Sequence, residues 1–121
     1  MTWLAVAAGG VVGAVLRDVV QRRMNPPAGS GLPRATLVIN LSGALFLGLV
    51  VGWAREGTIG PDVALLLGVG FCGAFTTWSG YMWEWLQLVK CGRARLAWAY
   101  LGGSLAAGIA LAALGIAVAK P

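Results

Sequence analysis

The chain has 121 residues, of which 59% are hydrophobic and only 11% are charged, and its mean hydropathy is +0.81. A soluble domain carries roughly 25% charged residues, so this composition excludes an ordinary soluble domain. A membrane span needs about 20 mostly apolar residues, and the chain therefore has room for about four spans joined by short loops.

The residue inventory also excludes much chemistry. There is no histidine in the sequence, which rules out imidazole acid–base catalysis and histidine-ligated metal sites. Cys72 and Cys91 form no CxxC motif, so neither a disulfide framework nor a zinc site is indicated. The net charge is +5, but the basic residues lie between apolar runs, which is typical of membrane-helix flanks rather than of a nucleic-acid surface. No nucleophile–base pair is visible, so we do not expect an enzyme.

Apolar runs predict a single all-α membrane domain over residues 1–121. The first run lacks a cleavage site and a basic leader and is not expected to be a signal peptide. Prolines and glycines between residues 24 and 34 exclude a continuous helix there, and Pro61 or Asp62 is placed to start the third helix. The four spans are predicted at about residues 3–20, 35–54, 63–89 and 96–119.

The third run is too long for a simple span and unusual in its middle. Gly68, Gly70 and Gly73 come before the segment Phe-Thr-Thr-Trp-Ser-Gly of residues 75–80. We expect a helix that breaks near residues 73–78, in the middle of the membrane, and then resumes. Such breaks persist only where protein or a water-filled cavity covers the freed backbone groups.

Small residues recur one turn apart in three of the spans, as Gly9-x3-Gly13, Gly48-x3-Gly52 and Ser104-x3-Gly108. Such faces let helix backbones approach closely in lipid. Because four short helices enclose little volume, the pattern also favours a dimer. Tryptophans near the predicted span ends suit the lipid interface, whereas Trp78 lies within a span and does not fit that role.

Polar groups inside the predicted spans indicate which kind of ion or solute the protein lets cross the membrane. Arg17 and Asp18 form either a pair at the lipid headgroups or an electropositive vestibule for an anion. Asn40 is either an interhelical hydrogen-bonding group or a pore residue. With Tyr100 and Ser104, the predicted mid-membrane groups are amide, hydroxyl and aromatic, without a central carboxylate. A proton relay or cation path would need such a carboxylate, so this set favours a small anion.

Three stretches resemble the Fluc fluoride-channel family, and the similarity covers all four spans in order. They are GGVVGAVLR at residues 9–17, TLVINLSG at 36–43 and GFCGAFTTWS at 70–79. The resemblance implies an antiparallel dimer of four-helix subunits in the cell inner (plasma) membrane, with two narrow pores that export cytoplasmic fluoride passively. It also implies a structural sodium ion at the dimer centre.

The resemblance assigns roles to individual residues. The backbone carbonyls of Gly73 and Thr76 correspond to the sodium ligands, and Arg17 to the vestibule arginine. The residues that correspond to the pore lining are Asn40, Trp78, Ser79, Tyr81, Tyr100 and Ser104.

The chain departs from the family pattern at the pore. The usual run Thr-Thr-Phe-Ser-Thr-Phe reads Thr-Thr-Trp-Ser-Gly-Tyr here, and Gly108 replaces a serine. One alternative is therefore a non-conducting partner that completes the pore of a second, paralogous subunit. Another is a small proton-coupled multidrug exporter, which would need a carboxylate deep in the first span.

Overall fold

The computed structural model describes residues 2–24, 27 and 29–120, and every regular element in that part of the chain is helical. The elements are α1 (Thr2–Met24), α2 (Arg34–Arg55), α3 (Pro61–Ala64), a π-helical segment (Leu65–Cys72), α4 (Gly73–Phe75), α5 (Trp78–Lys90) and α6 (Ala94–Val118).

Four helical stretches are long and apolar enough to cross a membrane: Thr2–Met24, Arg34–Arg55, Pro61–Lys90 and Ala94–Val118. The prediction of an all-helical chain with four spans is confirmed. Of the loop predicted to be non-helical, Asn25, Pro26 and Ala28 lie outside the described residues.

In two of the connections, a glycine lies two residues after the last residue of the helix. Gly57 follows α2 and Gly92 follows α5, with φ of 71° and 77°. After α5, the N–H of Gly92 donates to the carbonyl of Val89 and the N–H of Arg93 to that of Leu88. This pair of bonds satisfies carbonyls at the helix end, and the left-handed φ explains the glycine.

The third span is not uniformly α-helical. It begins at Pro61 after the extended Gly60, passes through the π-helical segment and returns to α geometry at Gly73. Thr76 and Thr77 are extended, with ψ of 160° and 124°, and helix α5 starts directly after them.

Glycines bring the backbones of neighbouring helices together. A Cβ built at Gly13 would lie 2.3 Å from the carbonyl oxygen of Phe71, and one at Gly48 would lie 2.2 Å from that of Ala112. Only glycine allows these approaches of α1 to the third span and of α2 to α6. The first two predicted small-residue faces therefore serve packing within the subunit.

The buried residues are few for a chain of this length. One cluster, Tyr81, Leu88, Ala97 and Tyr100, lies between α5 and α6. In the four candidate spans, the buried share of the most apolar window ranges from 6% to 39%. Most of the apolar helix surface is thus open to lipid or to another chain.

Candidate functional site

The third span is interrupted at the extended residues Thr76 and Thr77. Asn40 on α2 bonds to this interruption. Its Oδ1 accepts from the backbone N–H of Thr77 at 2.9 Å, and its Nδ2 donates to the Thr77 carbonyl at 3.0 Å. In a continuous helix that N–H would reach the carbonyl of Gly73, four residues back. The bond to Asn40 therefore leaves the Gly73 carbonyl without this partner.

Thr77 also starts the helix that follows. Its Oγ1 accepts from the backbone N–H of Gly80 at 3.1 Å, which is the standard N-cap bond of a threonine. Ser79 is exposed and its hydroxyl lies 3.4 Å from that of Thr77. The structure thus places the predicted pore residue Ser79 beside the cap.

Four of the predicted pore residues come together in one cleft of about 270 Å³, which we call the donor cleft. Polar or aromatic groups from α2, α5 and α6 line it together with apolar side chains. The residues on its wall are Asn40, Leu41, Trp78, Tyr81, Ser104, Leu105, Gly108, Ile109 and Ala112.

A second cleft, of about 280 Å³, lies at the helix interruption. Thr76, Thr77 and Gly43 contribute to its wall. Asn40 and Trp78 line both clefts, so these two side chains lie between them.

Three aromatic rings form a column beside the donor cleft. The Trp78 and Tyr81 ring centres are 5.4 Å apart, and those of Tyr81 and Tyr100 are 5.1 Å apart, both in edge-on arrangements. Ring edges carry partial positive charge. Trp78 is 66% exposed, whereas Tyr81 and Tyr100 are buried.

Glu84 bonds to Tyr100 of this column. It is the residue that was not predicted from the sequence. Its Oε1 accepts from the hydroxyl of Thr36 at 2.8 Å and its Oε2 from the hydroxyl of Tyr100 at 2.9 Å. Glu84 lies inside Pro61–Lys90 but toward the end of that span, so the prediction of no central carboxylate stays a prediction. The signal was present in the sequence as an acidic residue in an apolar run with no basic residue before Lys90.

Ser104 points into a local hydrogen-bond network. Its Oγ lies 2.9 Å from the hydroxyl of Tyr81, which in turn donates to the carbonyl of Leu101. The same Oγ also lies within reach of the Tyr100 carbonyl. Ser104 and Tyr81 are thus tied to each other at the wall of the donor cleft.

Arg17 reaches the interruption from α1. Its Nη1 donates to the carbonyl of Thr76 at 3.4 Å. The neighbouring Asp18 bonds to Arg22 instead, at 2.7 Å, and this exposed contact is the ion pair found in the described part of the chain. Arg17 therefore brings positive charge to the helix interruption, and the Arg17–Asp18 pair at the headgroups is not formed.

Backbone carbonyls are the groups that fit a cation here. Among the described residues, no three or more His, Cys, Asp or Glu side chains come together. The carbonyl of Gly73 lacks the N–H of Thr77, and Gly73 itself is exposed. Freed carbonyl oxygens are hard ligands suited to a cation such as sodium.

Comparison with known proteins gives the family. The family model described as "CrcB-like protein, Camphor Resistance (CrcB)" matches residues 4–116. The chain is 42% identical to "Fluoride-specific ion channel FluC 1" of Streptomyces avermitilis, over 96% of this chain and 94% of that protein. It is also 42% identical to "Fluoride-specific ion channel FluC" of Chlorobaculum tepidum, over 97% of this chain and 93% of that one.

A third relative, "Fluoride-specific ion channel FluC" of Chlorobium phaeobacteroides, is 39% identical over 97% of this chain and 91% of its own length. These matches run through all four spans, which include both clefts. The family consists of ion channels and not of enzymes. The chain belongs to the CrcB family, whose relatives are named fluoride-specific ion channels.

Proposed function

We propose that this protein is the subunit of a fluoride-selective anion channel that lets cytoplasmic fluoride leave the cell passively. The donor cleft carries the proposal, because it brings Asn40, Trp78, Tyr81 and Ser104 onto one wall. The names of the relatives support fluoride as the anion.

The donor set suits a small anion. An asparagine amide has two N–H hydrogens, and the bond to Thr77 uses one of them. An indole N–H is a donor only, and the ring edges of the aromatic column add partial positive charge. Arg17 supplies a full positive charge at the neighbouring interruption. A small, strongly hydrated anion needs such close donors to replace its water.

The membrane potential provides the driving force for export. With the cell interior negative, an anion gains about 2.3 kcal/mol per 100 mV on leaving. No proton or cation has to be coupled to this step, so a passive pore is sufficient. We place the protein in the inner (plasma) membrane, where this potential exists.

The interruption needs a partner surface. Gly73 and Trp78 are both exposed there, and uncovered backbone carbonyls at membrane depth are costly. In an antiparallel dimer, the interruption would lie in the middle of the membrane and pack against the same segment of the second subunit. That contact would cover both Gly73 and Trp78. The carbonyls of Gly73 and Thr76 from two copies would supply about four oxygens, which are hard ligands. A sodium ion held there would be structural.

A heterodimer is the second candidate, favoured by the distribution of charge. The side of the membrane with the termini carries Arg55 and Lys120. The opposite loops carry Arg22, Arg23, Arg34, Lys90, Arg93 and Arg95. This bias favours one orientation with the termini outside, whereas an antiparallel homodimer needs both orientations.

A terminal reporter active only in the cytoplasm separates these two assemblies. Half of the molecules reporting a cytoplasmic terminus, or rescue of fluoride-sensitive cells by the chain alone, would establish the homodimer. A single orientation without rescue would support a paralogous partner. The multidrug exporter is disfavoured, because the carboxylate of α1, Asp18, is exposed and paired with Arg22.

Liposomes containing the purified protein test the channel itself. They should release fluoride far faster than chloride. Asn40→Asp puts a negative charge on the cleft wall and should abolish the release, whereas Ser42→Ala, on an exposed part of α2, should leave it intact. Equal release of the two anions would refute the proposal.

A further inference from the structure

The hydroxyl of Tyr81, a residue of α5, bonds to two groups of α6 at the wall of the donor cleft. It donates to the carbonyl of Leu101 on α6 and lies 2.9 Å from Oγ of Ser104. The whole side chain is only 4% exposed. Because its own hydrogen is engaged by Leu101, the phenol oxygen faces Ser104 as an acceptor.

The hydroxyl of Ser104 can donate one hydrogen bond, and every acceptor within its reach is a group of the protein. A serine hydroxyl carries a single O–H. Within reach of Oγ are the Tyr81 hydroxyl, the carbonyl of Tyr100 and, at 3.5 Å, the carbonyl of Leu101. None of these acceptors is an anion in the cleft. Ser104 lines the cleft but must break a bond before it can donate into it.

We infer that Tyr81 is a positioning residue that restrains anion passage by holding the hydroxyl of Ser104 away from the donor cleft. The inference rests on the proposed fluoride function. A charge-assisted hydrogen bond is roughly twice as strong as a neutral one, so an anion can still recruit Ser104. The restraint slows passage and weakens anion binding without closing the path.

Removal of the phenol oxygen leaves Ser104 with backbone acceptors alone. Both belong to α6 itself, one turn before the serine. Such a back-bond is lost by a simple rotation of the side chain, which does not disturb the contact between α5 and α6. Tyr81→Phe keeps the ring, its contacts with Trp78 and Tyr100, and its bulk, so it changes only the hydrogen bonds.

Four versions of the protein test the inference: wild type, Tyr81→Phe, Ser104→Ala and the double variant. Fluoride release from liposomes is measured over a series of fluoride concentrations. Tyr81→Phe should accelerate release about three- to tenfold, the range expected for one neutral hydrogen bond, and lower the half-saturating concentration. In the Ser104→Ala background the same change should have no effect, because the residue that it frees is gone.

Ser42→Ala is the matched control for the loss of a serine hydroxyl. Ser42 bonds back to the carbonyls of Val38 and Ile39 on α2, as Ser104 does on α6, but it has no tyrosine partner. It should release fluoride at the wild-type rate.

The outcomes separate this inference from the channel proposal. A conducting wild type with slower or unchanged release by Tyr81→Phe would overturn the inference alone. Equal acceleration in the presence and absence of Ser104 would also overturn it, because the effect would then not depend on the hydroxyl of Ser104. Absence of release from every version would refute the fluoride function together with the inference.

Discussion

Asn40 binds both polar groups of the Thr77 backbone, with its Oδ1 on the N–H at 2.9 Å and its Nδ2 on the carbonyl at 3.0 Å. One side chain on α2 thus takes the place of helical hydrogen bonds in another span. In lipid, backbone groups must be satisfied within the protein. The interruption of the third span is therefore held by the second span.

Replacing Asn40 by alanine should destabilise the protein. Both polar groups of Thr77 would lose their partner, at a cost of about 1–3 kcal/mol for each group left unpaired. Unfolding of the detergent-solubilised protein by denaturant measures the effect. Ser42→Ala, which breaks only bonds within α2, is the control and should change stability little. If Asn40→Ala were as stable as the wild type, the bonds from Asn40 to Thr77 would not be what holds the interruption.

Two glycine-to-alanine changes should have opposite outcomes. At Gly13 a Cβ would lie 2.3 Å from the carbonyl oxygen of Phe71, so alanine should separate α1 from the third span and strongly destabilise the fold. At Gly73 a Cβ meets nothing within 4 Å in the subunit, so Gly73→Ala should keep the fold of the subunit. Circular dichroism and thermal unfolding compare the two variants. Similar losses in both would contradict the described packing.

Thr76 should contribute to a sodium site through its backbone and not through its hydroxyl. The hydroxyl is already bonded to the carbonyl of Cys72 at 2.8 Å. We expect the protein to be more heat-stable in sodium than in choline salts, since a bound ion stabilises the folded state. Thr76→Ala should keep this difference and Gly73→Val should remove it. Loss of the sodium effect in Thr76→Ala with an unchanged helical spectrum would contradict the carbonyl assignment.

The contributions of Thr36 and Glu84 to the free energy of unfolding should be coupled. Thr36 is fully buried and donates to Glu84, so Thr36→Val leaves the carboxyl group with one donor fewer, at a cost of about 1–3 kcal/mol. In a Glu84→Leu background the carboxyl group is absent, and Thr36→Val should cost much less. Denaturant unfolding of the four versions gives the coupling. Additive losses would show that the two side chains act independently.

The fold was largely predictable because hydropathy sets where helices cross a membrane. The predicted number of spans was right, but hydropathy does not mark the helix ends. Helix α1 continues past the apolar run to Met24 through Arg22 and Arg23, since arginine is a good helix former and only the membrane-buried part must be apolar. The π-helical segment had no sequence signal beyond the glycines at positions 68 and 70.

The sequence allowed candidate site residues to be named, but it did not indicate which hydrogen bonds they make. Polar side chains at membrane depth singled out Asn40 and Ser104. Their partners could not be foreseen, because they depend on how α2 and α6 face the third span. Glu84 was overlooked because it lies near the end of that span, and only the packing brings it between Thr36 and Tyr100.

The reversal potential of the purified protein in a planar bilayer, with fluoride on one side and chloride on the other, tests the central claim most directly. It measures selectivity and passive conduction in the same experiment. With the two anions at equal concentration, the account predicts a reversal potential far from zero, with the sign that opposes the flow of fluoride. A reversal potential near zero, which would mean that both anions pass equally, would contradict it.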